Sequence, residues 1–305
     1  MVIVEPCFLH SSAENLYFSW GKLKFMYATI IKPADLLPHL GEPQCVIVDC
    51  RFNLADTEEG RRAYLHGHIP GAFYAHLDED LSGEIIPGKT GRHPLPTVEA
   101  AVQLFSGWGI DRETQVVVYD DKAGAIAARL WWMLQWLGHE RVAVLDGGWP
   151  KWMEAGYPVD RTNPVPKPAT FVPNPQPQLL VDAAFVDKIR QDPDFILVDS
   201  RLDFRYRGEE EPIDPIAGHI PGAINAPFPE NIEDGKLKSP EDLKARFEQI
   251  LQGKWSQQAV FYCGSGVTAC YNLLALKHAG LGDAKLYAGS WSDWITGDKR
   301  PVAGS

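Results

Sequence analysis

The hexapeptide Gly-His-Ile-Pro-Gly-Ala occupies residues 67–72 and returns unchanged at residues 218–223. The flanking segments return in the same order. The pairs are residues 46–51 and 196–201, residues 116–119 and 259–262, and residues 147–149 and 289–291. The offset between the copies drifts from 151 residues at the hexapeptide to 142 at the last pair. Constant order with a drifting offset indicates two homologous domains with loop insertions, and it does not indicate a solenoid.

Short apolar runs, rich in β-branched residues, alternate with helical stretches in both copies. The runs that predict strands are 46–48, 116–119, 142–145, 195–198, 259–262 and 285–287. The stretches that predict helices are 97–107, 123–137, 182–191, 240–251 and 267–279. Continuous apolar strands between helices are typical of a parallel sheet covered on both sides. The sequence therefore predicts an α/β fold of two tandem domains, each a mainly parallel sheet with helices on both faces.

A proline-rich segment separates the two copies. Residues 161–177 contain six prolines, a density that forbids a helix and favours an extended, semi-rigid linker. We therefore expect one domain at residues 27–160 and the other at residues 178–304, each near the usual domain size. Residues 1–26 show no clear signal peptide, and we expect them to be an N-terminal extension outside the fold.

Composition and charge exclude several classes of protein. The 305 residues carry a net charge of -11, which argues against nucleic acid as a partner. No apolar run approaches the ~20 residues of a membrane span, so no membrane partner is expected. The five cysteines have neither the spacing of a disulfide framework nor that of a zinc site, which favours a reducing, cytoplasmic compartment. No metal or organic cofactor is implied.

Cys263 is the best candidate for a catalytic residue. It ends the apolar run of residues 259–262 and precedes a short glycine-containing turn and a predicted helix. Ligands bind at the carboxyl ends of strands in open α/β sheets, and N–H groups converging at a helix start stabilise an anion. Such surroundings favour the thiolate, the nucleophilic form of cysteine. The first copy has Asp120 at the same position, so we expect the first domain to be catalytically inactive.

These motifs together resemble the two-domain rhodanese/sulfurtransferase family over roughly residues 28–304. The resemblance rests on Val-Asp-x-Arg and Gly-His-Ile-Pro-Gly-Ala in both halves, on Cys-Gly-Ser-Gly-Val-Thr-Ala at residues 263–269, and on a closing Gly-x-Trp-x-x-Trp. The neutral cysteine loop is similar to that of 3-mercaptopyruvate sulfurtransferases. Thiosulfate-type rhodaneses more often carry basic residues directly after the cysteine. A cysteine phosphatase would need an arginine in the loop, and residues 264–276 contain neither Arg nor Lys.

The resemblance implies a sulfurtransferase that moves sulfane sulfur from 3-mercaptopyruvate to a thiol or cyanide through a persulfide on Cys263. The alternative donor is thiosulfate, and the acceptor could be a small thiol or a thioredoxin-like protein. A non-catalytic interaction module is a remote alternative, since only the first copy lacks the cysteine. We expect the backbone N–H groups of the loop to bind the reacting sulfur at Gly264, Gly266, Val267 and Thr268. For the Thr268 side chain, a helix cap is an equally good interpretation.

The resemblance also assigns Arg205 to donor binding, because a guanidinium suits a carboxylate or a thiosulfonate. Many mercaptopyruvate enzymes have a second arginine shortly afterwards, but residues 209–215 contain none. Arg207 could substitute for it. Arg92 belongs to a segment that has no second copy, and it either lines the cleft or packs the loop.

For proton transfer, the resemblance pairs a first-domain histidine with the loop serine and an acid. His68 and Ser265 match these positions, and the acid could be Glu59 or Asp56. The competing interpretation of His68 is structural, because the inactive copy and the active copy share this histidine as His68 and His219.

Overall fold

The computed structural model describes residues 26–165, 167–297 and 300–304. Apart from Met26, the expected N-terminal extension lies outside the described residues. None of the described helices is both long enough and apolar enough to cross a membrane.

The first domain is built on a five-stranded, wholly parallel sheet in the order β1-β5-β4-β2-β3. Its strands are β1 (Ile30–Ile31), β2 (Cys45–Asp49), β3 (Phe73–Tyr74), β4 (Gln115–Tyr119) and β5 (Val142–Leu145). Its helices are α1 (Pro33–Leu36), α2 (Glu59–His66), α3 (Val98–Gly107), α4 (Ala127–Trp136) and α5 (Gly148–Glu154).

The second domain repeats this topology, with a parallel sheet in the order β6-β12-β11-β7-β8. The strands of this domain are β6 (Leu180–Val181), β7 (Ile196–Asp199), β8 (Ile224–Asn225), β9 (Ile232–Glu233), β10 (Lys236–Leu237), β11 (Ala259–Tyr262) and β12 (Lys285–Tyr287). The helices are α6 (Ala183–Ile189), α7 (Asp203–Tyr206), α8 (Pro240–Leu251), α9 (Ala269–His278) and α10 (Ser290–Trp294). Strands β9 and β10 form a separate antiparallel hairpin.

Successive residues of each central strand enter different cores, as helices on both faces require. In β2, Val46 and Val48 pack in a core with Phe105 of α3, whereas Ile47 packs in a core with Trp152 of α5. Strand β7 divides its side chains in the same way between two cores. The prediction of two α/β domains, each with a mainly parallel sheet covered on both faces, is confirmed.

The repeated hexapeptide is anchored to the sheet in the same way in both domains. Arg51 pairs with Asp49 at 2.6 Å, and its Nη2 donates to the carbonyl of Gly67 at 2.7 Å. In the second domain, Arg201 pairs with Asp199 at 2.6 Å and donates to the carbonyl of residue 218 at 2.7 Å. The repeated Val-Asp-x-Arg motif therefore ties the end of a central strand to the start of the hexapeptide, which explains why the two motifs recur together.

The two domains share one apolar core. All ten residues of α4 are buried, as are the first eight of α9, because these two helices pack against each other between the sheets. The proline-rich segment runs along the first domain: the N–H of Ala169 bonds to the carbonyl of Ser106, and that of Asn174 to the carbonyl of Leu137. Because α9 packs against α4, the start of α9, and with it the cysteine loop, is fixed relative to the first domain.

Candidate active site

Cys263 directly follows β11 at the carboxyl end of the second sheet. Its N–H donates to the Ser290 hydroxyl at 3.1 Å, and its carbonyl accepts from Trp291 at 2.9 Å, so the start of α10 holds the cysteine backbone. The side chain is only 2% exposed. It lines a cavity of about 140 Å³ whose polar lining includes Arg92, His93, Arg205, Ser265 and Thr268. The arrangement buries a single thiol among cations and hydroxyl groups at the domain interface.

The loop after Cys263 needs its glycines for different reasons. Gly266 has φ +76°, and a Cβ there would lie 2.2 Å from the carbonyl oxygen of Ala288, so no other residue fits. A Cβ on Gly264 would lie 3.0 Å from Nη2 of Arg92, so this glycine keeps the space beside the cysteine open. Thr268 precedes α9 and lines the cavity, but its side chain makes no capping hydrogen bond, so the helix-cap interpretation is wrong.

In the first domain, the carboxylate of Asp120 fills the turn that corresponds to the cysteine loop. Its side chain is fully buried, and its two oxygens accept four backbone N–H groups at 2.7–2.8 Å. The donors are Lys122, Gly124, Ile126 and Ala127. Burial raises the pKa of Asp120, and the four N–H groups oppose that rise. The donors that could stabilise a reacting anion are therefore already used.

Replacing Asp120 by alanine should lower the free energy of unfolding by about 3 kcal/mol, because four N–H groups in a buried turn lose their acceptor. Urea denaturation measures this change. The matched control is Asp121→Ala, since Asp121 is exposed and should contribute little. Equal stabilities for the two variants would show that the carboxylate does not hold this loop together.

Ser265, His93 and Asp78 form a hydrogen-bonded chain that crosses the domain interface. Nδ1 of His93 lies 2.7 Å from the Ser265 hydroxyl, and Nε2 lies 3.0 Å from Oδ1 of Asp78. Burial lowers the pKa of His93, although Asp78 opposes this change. The hydrogen bond to His93 in turn lowers the pKa of Asp78. In the neutral ring, Nε2–H donates to Asp78 and Nδ1 accepts from Ser265, which is the arrangement of a serine hydroxyl backed by a base.

His68 is not the partner of Ser265, and that prediction is wrong. Its ring nitrogens lie 2.8 Å from the carbonyl of Tyr64 and 3.2 Å from that of Thr162, and its ring stacks on Tyr64 at 4.0 Å. His219 repeats the arrangement, with Nδ1 2.7 Å from the Tyr206 carbonyl. The duplicated histidine therefore fixes the hexapeptide turn in both domains, as its structural interpretation predicts.

The two acids suggested for the relay are also elsewhere. Glu59 accepts from Asn53 at 2.6 Å, and Asp56 pairs with Arg62 at the surface. The acid beside His93 is Asp78. Sequence reasoning missed His93 and Asp78 because it looked for the histidine in the repeated motif. The available signal was the segment Gly91–Pro96, which has no second copy.

Arg205 lines the cavity, and Arg92 lies beside it. Arg205 extends from α7 and pairs with Glu211 at 2.7 Å and with Asp214 at 3.0 Å. Arg92 reaches Asp214 from the first domain. Arg207 points away and pairs at the surface with Asp203 and Glu209, so it cannot supply a second guanidinium at the cavity. Of the two interpretations of Arg92, the structure supports the cleft-lining one.

Arg129 is a fully buried guanidinium that joins the two halves of the site. It extends from α4 and donates to the carbonyls of Gly266 at 2.9 Å, His93 at 3.1 Å and Leu81 at 3.3 Å. Burial lowers its pKa, and no carboxylate of the described residues lies within ion-pair distance. A buried cation normally requires a charged partner. Here it is held by main-chain carbonyls of both domains, and this contact fixes His93 relative to the cysteine loop.

Within the described part of the chain, one group of side chains has the proximity needed for a metal ion: Glu58, His76 and Glu79. Their ligand atoms already have protein partners. Nδ1 of His76 accepts the N–H groups of Asp78 and Glu79 at 3.2 and 3.3 Å, and both glutamates pair with Arg61. This group positions the backbone of Asp78 rather than forming a separate site.

Comparisons with known proteins identify the family and the fold of the chain. The Rhodanese-like domain model matches the chain twice, at residues 32–155 and 182–296. The chain is 46% identical over 278 residues to a probable 3-mercaptopyruvate sulfurtransferase of Pseudomonas aeruginosa, covering 90% of this chain and 98% of that protein. It is 35% identical over 259 residues to the thiosulfate sulfurtransferase of Bos taurus, covering 83% and 86% of the two chains. The solved structure of 3-mercaptopyruvate sulfurtransferase from Leishmania major matches with a TM-score of 0.78 and 33% identity, covering 90% of this chain and 76% of that one.

Proposed function

Because the chain belongs to the rhodanese family and is a sulfurtransferase, we propose that it takes sulfur from 3-mercaptopyruvate and passes it to a thiol through a persulfide on Cys263. The second domain carries the nucleophile. In the first domain the Asp120 carboxylate occupies the position that corresponds to Cys263. This domain supplies His93, Asp78 and Arg92 to the shared cavity.

In the first half-reaction the Cys263 thiolate attacks the thiol sulfur of the donor. A sulfur–sulfur bond forms, and the bond between that sulfur and the methylene carbon breaks. The electron pair of the broken bond stays on carbon, which gives the enolate of pyruvate. The thiol proton of the donor ends on the methyl group of pyruvate, and the persulfide remains as an anion, so atoms and charge balance.

The observation that carries the choice of donor is the hydrogen-bonded chain of Ser265, His93 and Asp78 in the cavity of Cys263. A pyruvate enolate must be protonated on carbon, whereas the sulfite that leaves thiosulfate needs no proton. The Ser265 hydroxyl can pass the thiol proton of the donor to Nδ1 of neutral His93, and the imidazolium so formed can return that proton through Ser265 to the carbon. Asp78 holds the His93 ring in the tautomer that this transfer requires.

In the second half-reaction a thiol acceptor attacks the outer sulfur of the persulfide and restores the Cys263 thiolate. The cavity is small and the sulfur is almost fully buried, which suits a slim thiol group. A small thiol, the exposed cysteine of a thioredoxin-like protein, or cyanide in an assay meets this requirement. The four described cysteines are free, which supports a reducing, cytoplasmic location for this chemistry.

Thiosulfate is the second candidate donor. The cationic lining formed by Arg205 and Arg92 can accept a thiosulfonate group as well as a carboxylate. Sulfur transfer from thiosulfate uses the same persulfide and releases sulfite. The hydrogen-bonded chain of Ser265, His93 and Asp78 would have no role in that reaction.

Steady-state kinetics with both donors on one preparation, with cyanide as acceptor, tests the choice. We expect kcat/KM for 3-mercaptopyruvate to exceed that for thiosulfate by at least about tenfold, because only the former uses the proton relay. A higher kcat/KM for thiosulfate would overturn the assignment of the donor and leave the family assignment in place.

A further inference from the structure

The guanidinium of Arg129 is a buried positive charge that no carboxylate of the described chain neutralises. Its Nε is buried and has no hydrogen-bond partner among the residues that the structure describes. A buried charge without a partner is costly, so this arginine needs an anion close by. The nearby groups that can become anions are the thiols of Cys263 and Cys270. Burial raises the pKa of Cys270, which keeps that thiol neutral, and Cys263 is left as the source of the anion.

The first domain shows how the turn after the strand holds an anion. There the N–H of Gly124, four residues after Asp120, donates to the Asp120 carboxylate at 2.7 Å. Val267 stands four residues after Cys263, and it lines the same cavity as the cysteine. Its N–H donates to no other residue of the described chain. The internal repeat therefore assigns the Val267 N–H to an anion on the Cys263 side chain.

Arg129 acts on the opposite end of the same peptide unit. The carbonyl of Gly266, which is bonded to the Val267 nitrogen, accepts from Nη1 of Arg129 at 2.9 Å and from Sγ of Cys270 at 3.3 Å. A cation that binds the oxygen of a peptide polarises it and makes its N–H a stronger donor. The positive charge on Arg129 thus favours negative charge on the Cys263 sulfur at the far end of this peptide.

We propose that Arg129 is a positioning residue that stabilises the thiolate and the persulfide anion of Cys263 through the peptide between Gly266 and Val267. Arg129 does not line the cavity of Cys263, so it acts through the loop and not on the donor. The inference rests on the proposed function, in which Cys263 is the nucleophile. It deepens that function, because the charge that stabilises the reacting sulfur then comes from α4 of the catalytically inactive domain.

The test compares three replacements of Arg129 in the full chain. Arg129→Lys keeps the charge, Arg129→Gln keeps a hydrogen-bond donor without charge, and Arg129→Met keeps only bulk. The rate at which iodoacetamide alkylates Cys263 is measured against pH without any sulfur donor, and mass spectrometry locates the label. For the Gln and Met variants, we expect the rate at neutral pH to fall about tenfold and the profile to move up by about one pH unit. The Lys variant should stay within about threefold of the parent.

The matched control is Arg207→Gln, which removes the same charge from an exposed side chain paired with Asp203 and Glu209. Its alkylation profile should match that of the parent. The other charged or titratable groups that line the cavity are unchanged in every variant: Arg92, His93, Lys122 and Arg205. Circular dichroism and urea denaturation identify the variants that are folded at the pH of the assay.

Two results would overturn the role of Arg129. One is an alkylation profile of folded Arg129→Met that matches the parent. The other is an equal loss of rate in Arg129→Lys and Arg129→Gln, which would show that the loop needs packing and not charge. Should Arg129→Met fail to fold, the comparison of the Lys and Gln variants decides the question. Because the assay uses no sulfur donor, a wrong choice of donor would show only in the kinetics of the parent enzyme.

Discussion

Cys263→Ser will abolish sulfur transfer from both 3-mercaptopyruvate and thiosulfate while the protein stays folded. The persulfide forms on the Cys263 sulfur, and a serine hydroxyl neither attacks a sulfur donor at a useful rate nor stores sulfane sulfur. The substitution replaces the buried sulfur atom with an oxygen atom in a site lined by hydroxyl and cationic groups. We therefore expect the free energy of unfolding to fall by no more than about 1 kcal/mol. With either donor, we expect kcat to fall to the background rate measured without enzyme.

Mass spectrometry after incubation with donor, in the absence of acceptor, measures the intermediate directly. The parent should gain the mass of one sulfur atom and the Cys263→Ser variant none. Cys270→Ala is the matched control: Cys270 is also buried, with Sγ 3.3 Å from the Gly266 carbonyl, and burial raises the pKa of its thiol. It should still accept one sulfur. Sulfur bound covalently to Cys263→Ser would place the intermediate on another residue.

The internal repeat made the fold and the position of Cys263 predictable. Once residues 116–119 are aligned with residues 259–262, Asp120 and Cys263 occupy equivalent positions after a central strand, and the structure has both there. The same comparison indicates which groups only maintain the fold. His68 and His219 are duplicated, both are held by main-chain carbonyls, and neither lines the cavity of Cys263.

The repeat could not reveal Arg92 and His93, which come from an unduplicated segment, or Arg129, which has no arginine counterpart in α9. His93 and Arg92 reach the cysteine loop only because α4 packs on α9 and because Gly91 allows close contact with α10. Arg129 extends from a buried and mostly apolar helix, where composition suggests packing alone. Such placements depend on how two domains dock, and no local pattern of hydrophobicity or turn residues specifies docking.

Ser265→Ala and His93→Asn will lower turnover of 3-mercaptopyruvate far more than turnover of thiosulfate. Both variants interrupt proton delivery to the enolate, so kcat with 3-mercaptopyruvate should fall by about 10²- to 10⁴-fold. Turnover of thiosulfate should stay within a few-fold of the parent, because sulfite leaves without a proton. Steady-state kinetics with cyanide as acceptor measures both values. His68→Asn is the control for histidine loss; it should affect stability rather than the ratio between the donors. Equal losses with the two donors in Ser265→Ala would remove the relay from the mechanism.

The pH dependence of turnover tests the role of His93. The relay needs neutral His93, which is the form present above the pKa of that residue. Burial lowers this pKa, so kcat with 3-mercaptopyruvate should hold below the ordinary histidine range of about 6.5 and decline only at more acidic pH. Asp78 opposes the effect of burial, and therefore Asp78→Asn should move the acid limb to still lower pH while reducing kcat. An acid limb that moves upward in this variant would show that the titrating group is not His93.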